Sequence, residues 1–138
     1  MPPDFRPELK HGYFLTCGWH GCLFLFKWVK WKQIEEKLER LPITNIHAVN
    51  VQRFFAGGVE GTESSVDKQG RIAIPPTLVE FAGIQRSVLV RGTLDRAEIW
   101  AKERWLEYLK SDLTFERVAQ DAMALGLWED LQRKEATA

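Results

Sequence analysis

Cysteine is scarce in this chain: Cys17 and Cys22 are the only two in 138 residues. Two thiols cannot staple a small disulfide scaffold, and they read as reduced groups of a cytosolic protein. Net charge is missing as well, with Lys+Arg and Asp+Glu at 19 each. No bulk positive field therefore draws the protein to nucleic acid or membrane, and electrostatic recognition must come from a local patch or from many copies of one. A membrane-spanning run is lacking too. Gly12–Phe26 contains no Asp, Glu, Lys or Arg, but it is shorter than the ~20 residues a helix needs, and Gly18, His20 and Gly21 interrupt it. Asp4, Pro7 and Glu8 ahead of it, with no small-x-small site behind, exclude a signal peptide.

Catalytic patterns are equally absent. No Ser, Cys or Thr sits in a nucleophile elbow, and no paired carboxylates lie in an apolar setting. His11, His20 and His47 are isolated in the sequence. Cys17, His20 and Cys22 fall close together without a fourth ligand at zinc spacing, so no metal site is expected. Gly57-Gly58-Val59-Glu60-Gly61 lacks the Lys-Ser/Thr of a phosphate loop, and Glu60 would repel a phosphate, which makes it a helix-to-strand joint. The chain reads as a non-enzyme with no cofactor and no small-molecule substrate.

What remains is a composition that can build a core, 45% hydrophobic and 28% charged. Tyr13–Cys17 and Cys22–Phe26, separated by Gly-Trp-His-Gly, predict a β-hairpin. Trp28, Trp31, Ile34, Leu38 and Leu41 recur at helical steps until Pro42. Thr44 or Asn45 can cap a second helix toward Phe55, ended by Gly57-Gly58. Val59–Val66 reads as extended, Asp67–Gly70 as a tight turn, and Arg71–Ile74 as a strand closed by Pro75-Pro76. A short helix carrying Leu78, Phe81 and Ala82 ends at Gly83. Strands Ser87–Arg91 and Ala97–Trp100 follow, then helices over Lys102–Leu109 and Thr114–Leu125, the last with Phe115, Val118, Ala122 and Leu125 on one face.

An internal repeat organises these elements. Ile74-Pro75-Pro76, Arg91-Gly92, Glu98-Ile99-Trp100 and Trp105 mirror Met1-Pro2-Pro3, Cys17-Gly18, Phe24-Leu25-Phe26 and Trp31, at an offset of 73 residues at the prolines and 74 from Gly18 onward. Only the second copy is preceded by a strand and the turn Asp67–Gly70. In that turn Asp67 can bond forward to the backbone and Gly70 supplies a positive φ, which lifts Lys68 into solvent and sets Arg71 at the root of the next strand. Two cations at a rigid β-edge can contact phosphates, and Arg can also grip a guanine edge. The competing reading is an ordinary turn with Arg71 paired to a carboxylate such as Glu63. Lys27–Lys32 interleaves bases with Trp28 and Trp31, which suits either a stacking surface for single strands or a packed helix face with solvated lysines.

The chain resembles the MraZ family of bacterial transcriptional regulators, which carry two SpoVT-AbrB-type domains. The matching stretches are Gln52–Gly58, Asp67–Pro75 with its Asp-Lys-x-Gly-Arg-x-x-Ile-Pro pattern, Leu94–Trp100, Pro2–Leu9 and the helix near Phe115–Leu127. The resemblance implies an α+β fold of two pseudo-symmetric AbrB-like β-domains with flanking helices. Domain 1 would occupy residues 1–43, a connecting helix 44–58, domain 2 59–110, and a C-terminal helix and tail 111–138. It further implies a repressor in the cytoplasm and nucleoid, binding double-stranded promoter DNA at repeats ahead of the division and cell-wall gene cluster, its own operon included. A ring-like homo-oligomer would multiply one modest basic edge. By position, Lys68 and Arg71 would contact DNA, with Asp67 and Gly70 shaping the turn; no membrane is involved.

Three departures stand against the pattern. Cys17 sits where the family and the second repeat (Arg91) have Arg, and His20 replaces an acidic turn residue. The first copy also begins at its Pro-Pro, without the preceding strand and turn. The reading preferred on sequence is a start assigned too far downstream; the other is a degraded copy with weakened DNA binding. A protein-interaction module of the same fold, antitoxin-like or oligomer-modulating, is the alternative function.

Overall fold

The charge-free stretch around residues 13–26 follows from where its strands lie. In the computed structural model, which describes residues 11–62, 65, 67, 69 and 71–127, β1 (Tyr13–Cys17) and β2 (Leu23–Lys27) are inner strands of one antiparallel sheet. A strand covered on both faces needs apolar side chains at every position, so the usual alternation disappears. Four of five residues in each strand are buried.

The sheet is completed by β3 (Val59–Gly61), β4 (Val88–Thr93) and β5 (Arg96–Ala101), in the order β3-β1-β2-β5-β4. Tyr13 faces Lys27 and Cys17 faces Leu23 across the first hairpin; Leu23 faces Ile99 where the hairpins meet. On one face Tyr13, Leu15, Leu23, Leu25, Ala97 and Ile99 pack with Leu78 and Ala82 of α3 (Pro76–Ala82). The other face carries Phe14, Thr16, Phe24 and Phe26, the alternate set. Over it lie α1 (Trp28–Glu39) and α2 (Ile46–Ala56), through Trp31 stacked 3.8 Å from Phe14 and tilted against Phe55. The Thr16 hydroxyl, fully buried, donates to the Phe55 carbonyl at 3.0 Å and so tolerates its apolar surroundings.

Local signals place the ends of these elements. Asn45 caps α2 by accepting from the His47 amide at 2.9 Å. Gly83 ends α3 in the left-handed conformation at φ 64°. At the helix-to-strand joint, a Cβ on Gly61 would overlap the Tyr13 ring and one on Gly58 would meet the Leu15 carbonyl oxygen at 2.6 Å, so the close approach of β3 to β1 demands glycine there. Two expectations need correcting. Among the described residues of the extended stretch, Val59–Gly61 alone pair in the sheet. Arg71–Ile74 forms no ladder strand: Ile72 makes a single bridge, while Ile72 and Ile74 pack against the core cluster.

The chain divides into two compact units, Met1–Arg104 and Trp105–Ala138, the boundary falling within α4 (Lys102–Ser111). In the second unit, α5 (Phe115–Ala124) is capped by Thr114, whose hydroxyl accepts from the Arg117 amide at 3.2 Å. Its predicted apolar residues Phe115, Val118 and Leu125 are exposed. Among the described residues no helix is long and apolar enough to cross a membrane.

Candidate nucleic-acid interface

Asp67 builds its turn with its own carboxylate. One oxygen accepts from the Gln69 amide at 2.9 Å and the Arg71 amide at 2.8 Å, and the other from Arg71 Nε at 2.8 Å. The Asp67 amide closes the loop by donating to the Arg71 carbonyl at 2.9 Å. This is the forward-bonding behaviour that makes Asp a turn former. The Arg71 amide is the chief reason the carboxyl is held below its ordinary range, with the Arg71 side chain and the Gln69 amide adding to it. Arg71 thus pairs with Asp67; Glu63 lies outside the described residues, as do Lys68 and Gly70. The pairing uses Nε; the Arg71 side chain remains 72% exposed, with its terminal nitrogens unbonded among the described residues. Such a guanidinium can still meet a phosphate or a base edge.

Of the other matching stretches, Leu94–Trp100 has its charges engaged within the fold, and Pro2–Leu9 lies outside the described residues. In Leu94–Trp100, Glu98 accepts from Arg96 Nε at 3.1 Å and Nη2 at 2.9 Å, and its second oxygen accepts from Trp100 Nε1 at 3.2 Å. Asp95 takes Arg96 Nη1 at 2.9 Å, and the guanidinium lies 4.7 Å from the centre of the Phe24 ring. The charges of this motif are therefore engaged within the fold. In Lys27–Lys32, Trp31 is 4% exposed beneath Phe14, and the Lys32 ammonium covers Trp28 at 4.6 Å. Packing accounts for that segment, and Trp31 offers no face to a base. No group of three His, Cys, Asp or Glu able to hold a metal ion occurs among the described residues.

One residue escaped sequence reasoning altogether. Arg104, at the start of α4, donates from Nη1 to the Gly21 carbonyl at 3.1 Å and the Phe81 carbonyl at 2.7 Å. It thereby ties the tip of the first hairpin to α3, across 83 and 23 positions. Nothing local distinguishes it from a solvated helix arginine.

Comparison with known proteins agrees with these motifs. A family model described as "MraZ protein, putative antitoxin-like" matches residues 1–54 and 59–127. A protein of Clostridium acetobutylicum named "Transcriptional regulator MraZ" is 41% identical over 127 residues, covering 92% of this chain and 88% of that one. Its namesake in Caldanaerobacter subterraneus is 47% identical over 121 residues, covering 87% and 83%. Another, from Caldicellulosiruptor bescii, is 42% identical over 128 residues, covering 92% and 88%. With the family model matching almost end to end and relatives this similar over most of both chains, the chain belongs to the MraZ family.

Proposed function

We propose that this protein is a sequence-specific DNA-binding transcriptional regulator, acting as a repressor at promoter repeats of the division and cell-wall gene cluster, its own operon included. The observation that carries the reading is Arg71 held outward on a turn that Asp67 rigidifies by itself. Relatives named as transcriptional regulators support the same conclusion. Lys68 would stand beside Arg71 as the second cation, with Gly70 completing the turn. One such edge on a neutral chain binds weakly, so the reading includes a ring-like homo-oligomer that repeats it along the duplex. It also includes two AbrB-like domains at 1–43 and 59–110, and a cytoplasmic, nucleoid-associated location.

The test is a gel shift with the DNA upstream of the gene. Affinity should fall steeply with salt, because each phosphate contact releases counterions. Replacing Lys68 and Arg71 together with alanine should weaken binding and flatten the salt slope. Unchanged affinity removes both residues from the interface.

The antitoxin-like wording of the family description favours one competing reading, a protein-interaction module of this fold without DNA contacts. Stoichiometric capture of a protein partner, with no retention on DNA, would select it.

A further inference from the structure

No residue of α5 is buried, although the helix is well built. Thr114 caps its start, and Gly126 at φ 65° ends it, with the Gly126 and Leu127 amides donating to the Met123 and Ala122 carbonyls at 3.0 and 3.1 Å. A helix of ten residues is marginal in water by itself and is stabilised mainly by packing an apolar stripe. That stripe is present. Phe115, Val118, Ala122 and Leu125 recur at three- and four-residue steps, with Leu113 and Leu127 flanking them; the five large side chains are 40–86% exposed. At on the order of 100 Å² each they offer about 500 Å² of apolar surface. With the roughly 57% apolar share of an interface, that fits a contact of about 800–900 Å² a side, the standard size.

A second exposed apolar patch lies in the other compact unit, at the corner between α1 and α2. Leu41, Ile43 and Ile46 are 37%, 80% and 63% exposed there. The corner is braced. Gln52 donates to the Leu38 and Leu41 carbonyls at 2.8 and 3.4 Å, the Asn45 amide donates to the Pro42 carbonyl at 3.1 Å, and the Asn45 side chain caps α2. Three apolar side chains are thus held in water on an ordered turn, where polar ones are the rule. Charge matches the two patches. Residues 112–127 carry three acids against one arginine, whereas residues 27–40 carry five cations against three acids. The faces attract each other, and copies that are neutral overall meet no net repulsion.

We propose that the α5 stripe of one copy docks on the α1–α2 corner of a second copy. The contact joins two different patches, so it runs head to tail and closes into a ring where the rotation between copies permits. It rests on the homo-oligomeric reading of the function and names the surfaces that build the assembly; Arg71 belongs to neither surface.

Sedimentation of the full-length protein without DNA reads the assembly, and a gel shift reads DNA binding separately. Wild-type protein should sediment as an oligomer. Phe115→Glu with Leu125→Glu, and separately Ile43→Glu with Ile46→Glu, should each give a monomer, the dissociation constant rising by at least about 100-fold. All four positions are exposed, so each monomer should keep its fold, which a matching far-UV spectrum checks. Leu94→Glu, a fully exposed leucine on neither patch, should leave the oligomer intact. Mixed in equal amounts, the two double variants should form a one-to-one complex, because each retains the patch that the other has lost. An oligomer that survives either double substitution overturns the contact and leaves the oligomeric reading standing. A mixture that stays monomeric also overturns it, since like patches would then be pairing. Wild-type protein that is monomeric at about 100 μM overturns the contact and the oligomeric reading together, and the gel shift then judges Arg71 alone.

Discussion

The two hairpins of this protein share a sequence pattern and differ in almost everything physical. β1–β2 is buried along four of five positions in both strands; β5 is buried at four of six, while β4, at the sheet edge, has no buried residue. Carrying the first hairpin's register forward by the 74-residue offset would set Arg91 opposite Ala97; it faces Glu98. The cause is the turn. Gly18–Cys22 separates the first pair of strands, whereas Leu94-Asp95 alone separates the second, and a one-residue change of register alters every facing pair. Cys17 and Arg91 illustrate the result. Cys17 sits opposite Leu23 and packs against the core cluster; Arg91 sits opposite a carboxylate on an exposed strand. Position in the sheet, not the repeat, decides which side chain is tolerated.

The largest test of that contrast is Leu15→Ala against Val88→Ala. Leu15 is fully buried in an inner strand and its truncation should cost about 3 kcal/mol, whereas Val88, 44% exposed on the edge, should cost well under about 1 kcal/mol in denaturant titration. Equal losses would abolish the distinction. Next, Arg104→Ala should cost about 2 kcal/mol, because two carbonyls lose a charged donor. Proteolysis should then cut first at the freed tip of the β1–β2 hairpin; a cut elsewhere would dissociate that residue from the hairpin. Glu98→Gln probes the second hairpin's own clasp and should cost about 1–2 kcal/mol, since Arg96 and the Trp100 indole lose a charged acceptor.

Thiol chemistry separates Cys17 from Cys22. Burial, aided by the Glu98 charge, pushes the Cys22 thiol up to about 12, and burial raises Cys17 as well. A raised folded pKa keeps the thiol protonated in the native state, so stability should be unaffected at neutral pH and decline from about pH 9 toward 12, as the unfolded chain ionises. Alkylation at pH 8 should label Cys17 first and Cys22 only on unfolding; the reverse order would place the wrong cysteine inside. The smallest effect belongs to Asp67→Asn. The lowered carboxyl pKa means the turn is ordered above the ordinary aspartate range and loosens as pH falls through the folded value. The Gln69 and Arg71 amide signals should report that loosening in acid, and in the variant at every pH.

Local chemistry was readable from the residues. Asn45 caps a helix, Gly83 ends one, and Asp67 shapes its turn, all through bonds spanning two to four positions. Long-range pairing was not. Arg71–Ile74 has the look of a strand, but a strand exists only where a partner lies alongside, and Ile72 alone finds one. The charge-rich Leu94–Trp100 stretch carries the family resemblance in the sequence and is a brace in the fold, because Arg96 and Glu98 hold each other.

Asp67 satisfies itself within five positions of chain, Asp67 to Arg71. Such a clasp borrows nothing from the distant core, so it can be copied, transplanted or lost as a cassette while the scaffold beneath persists. Change in the turn is thereby uncoupled from the requirement to keep folding.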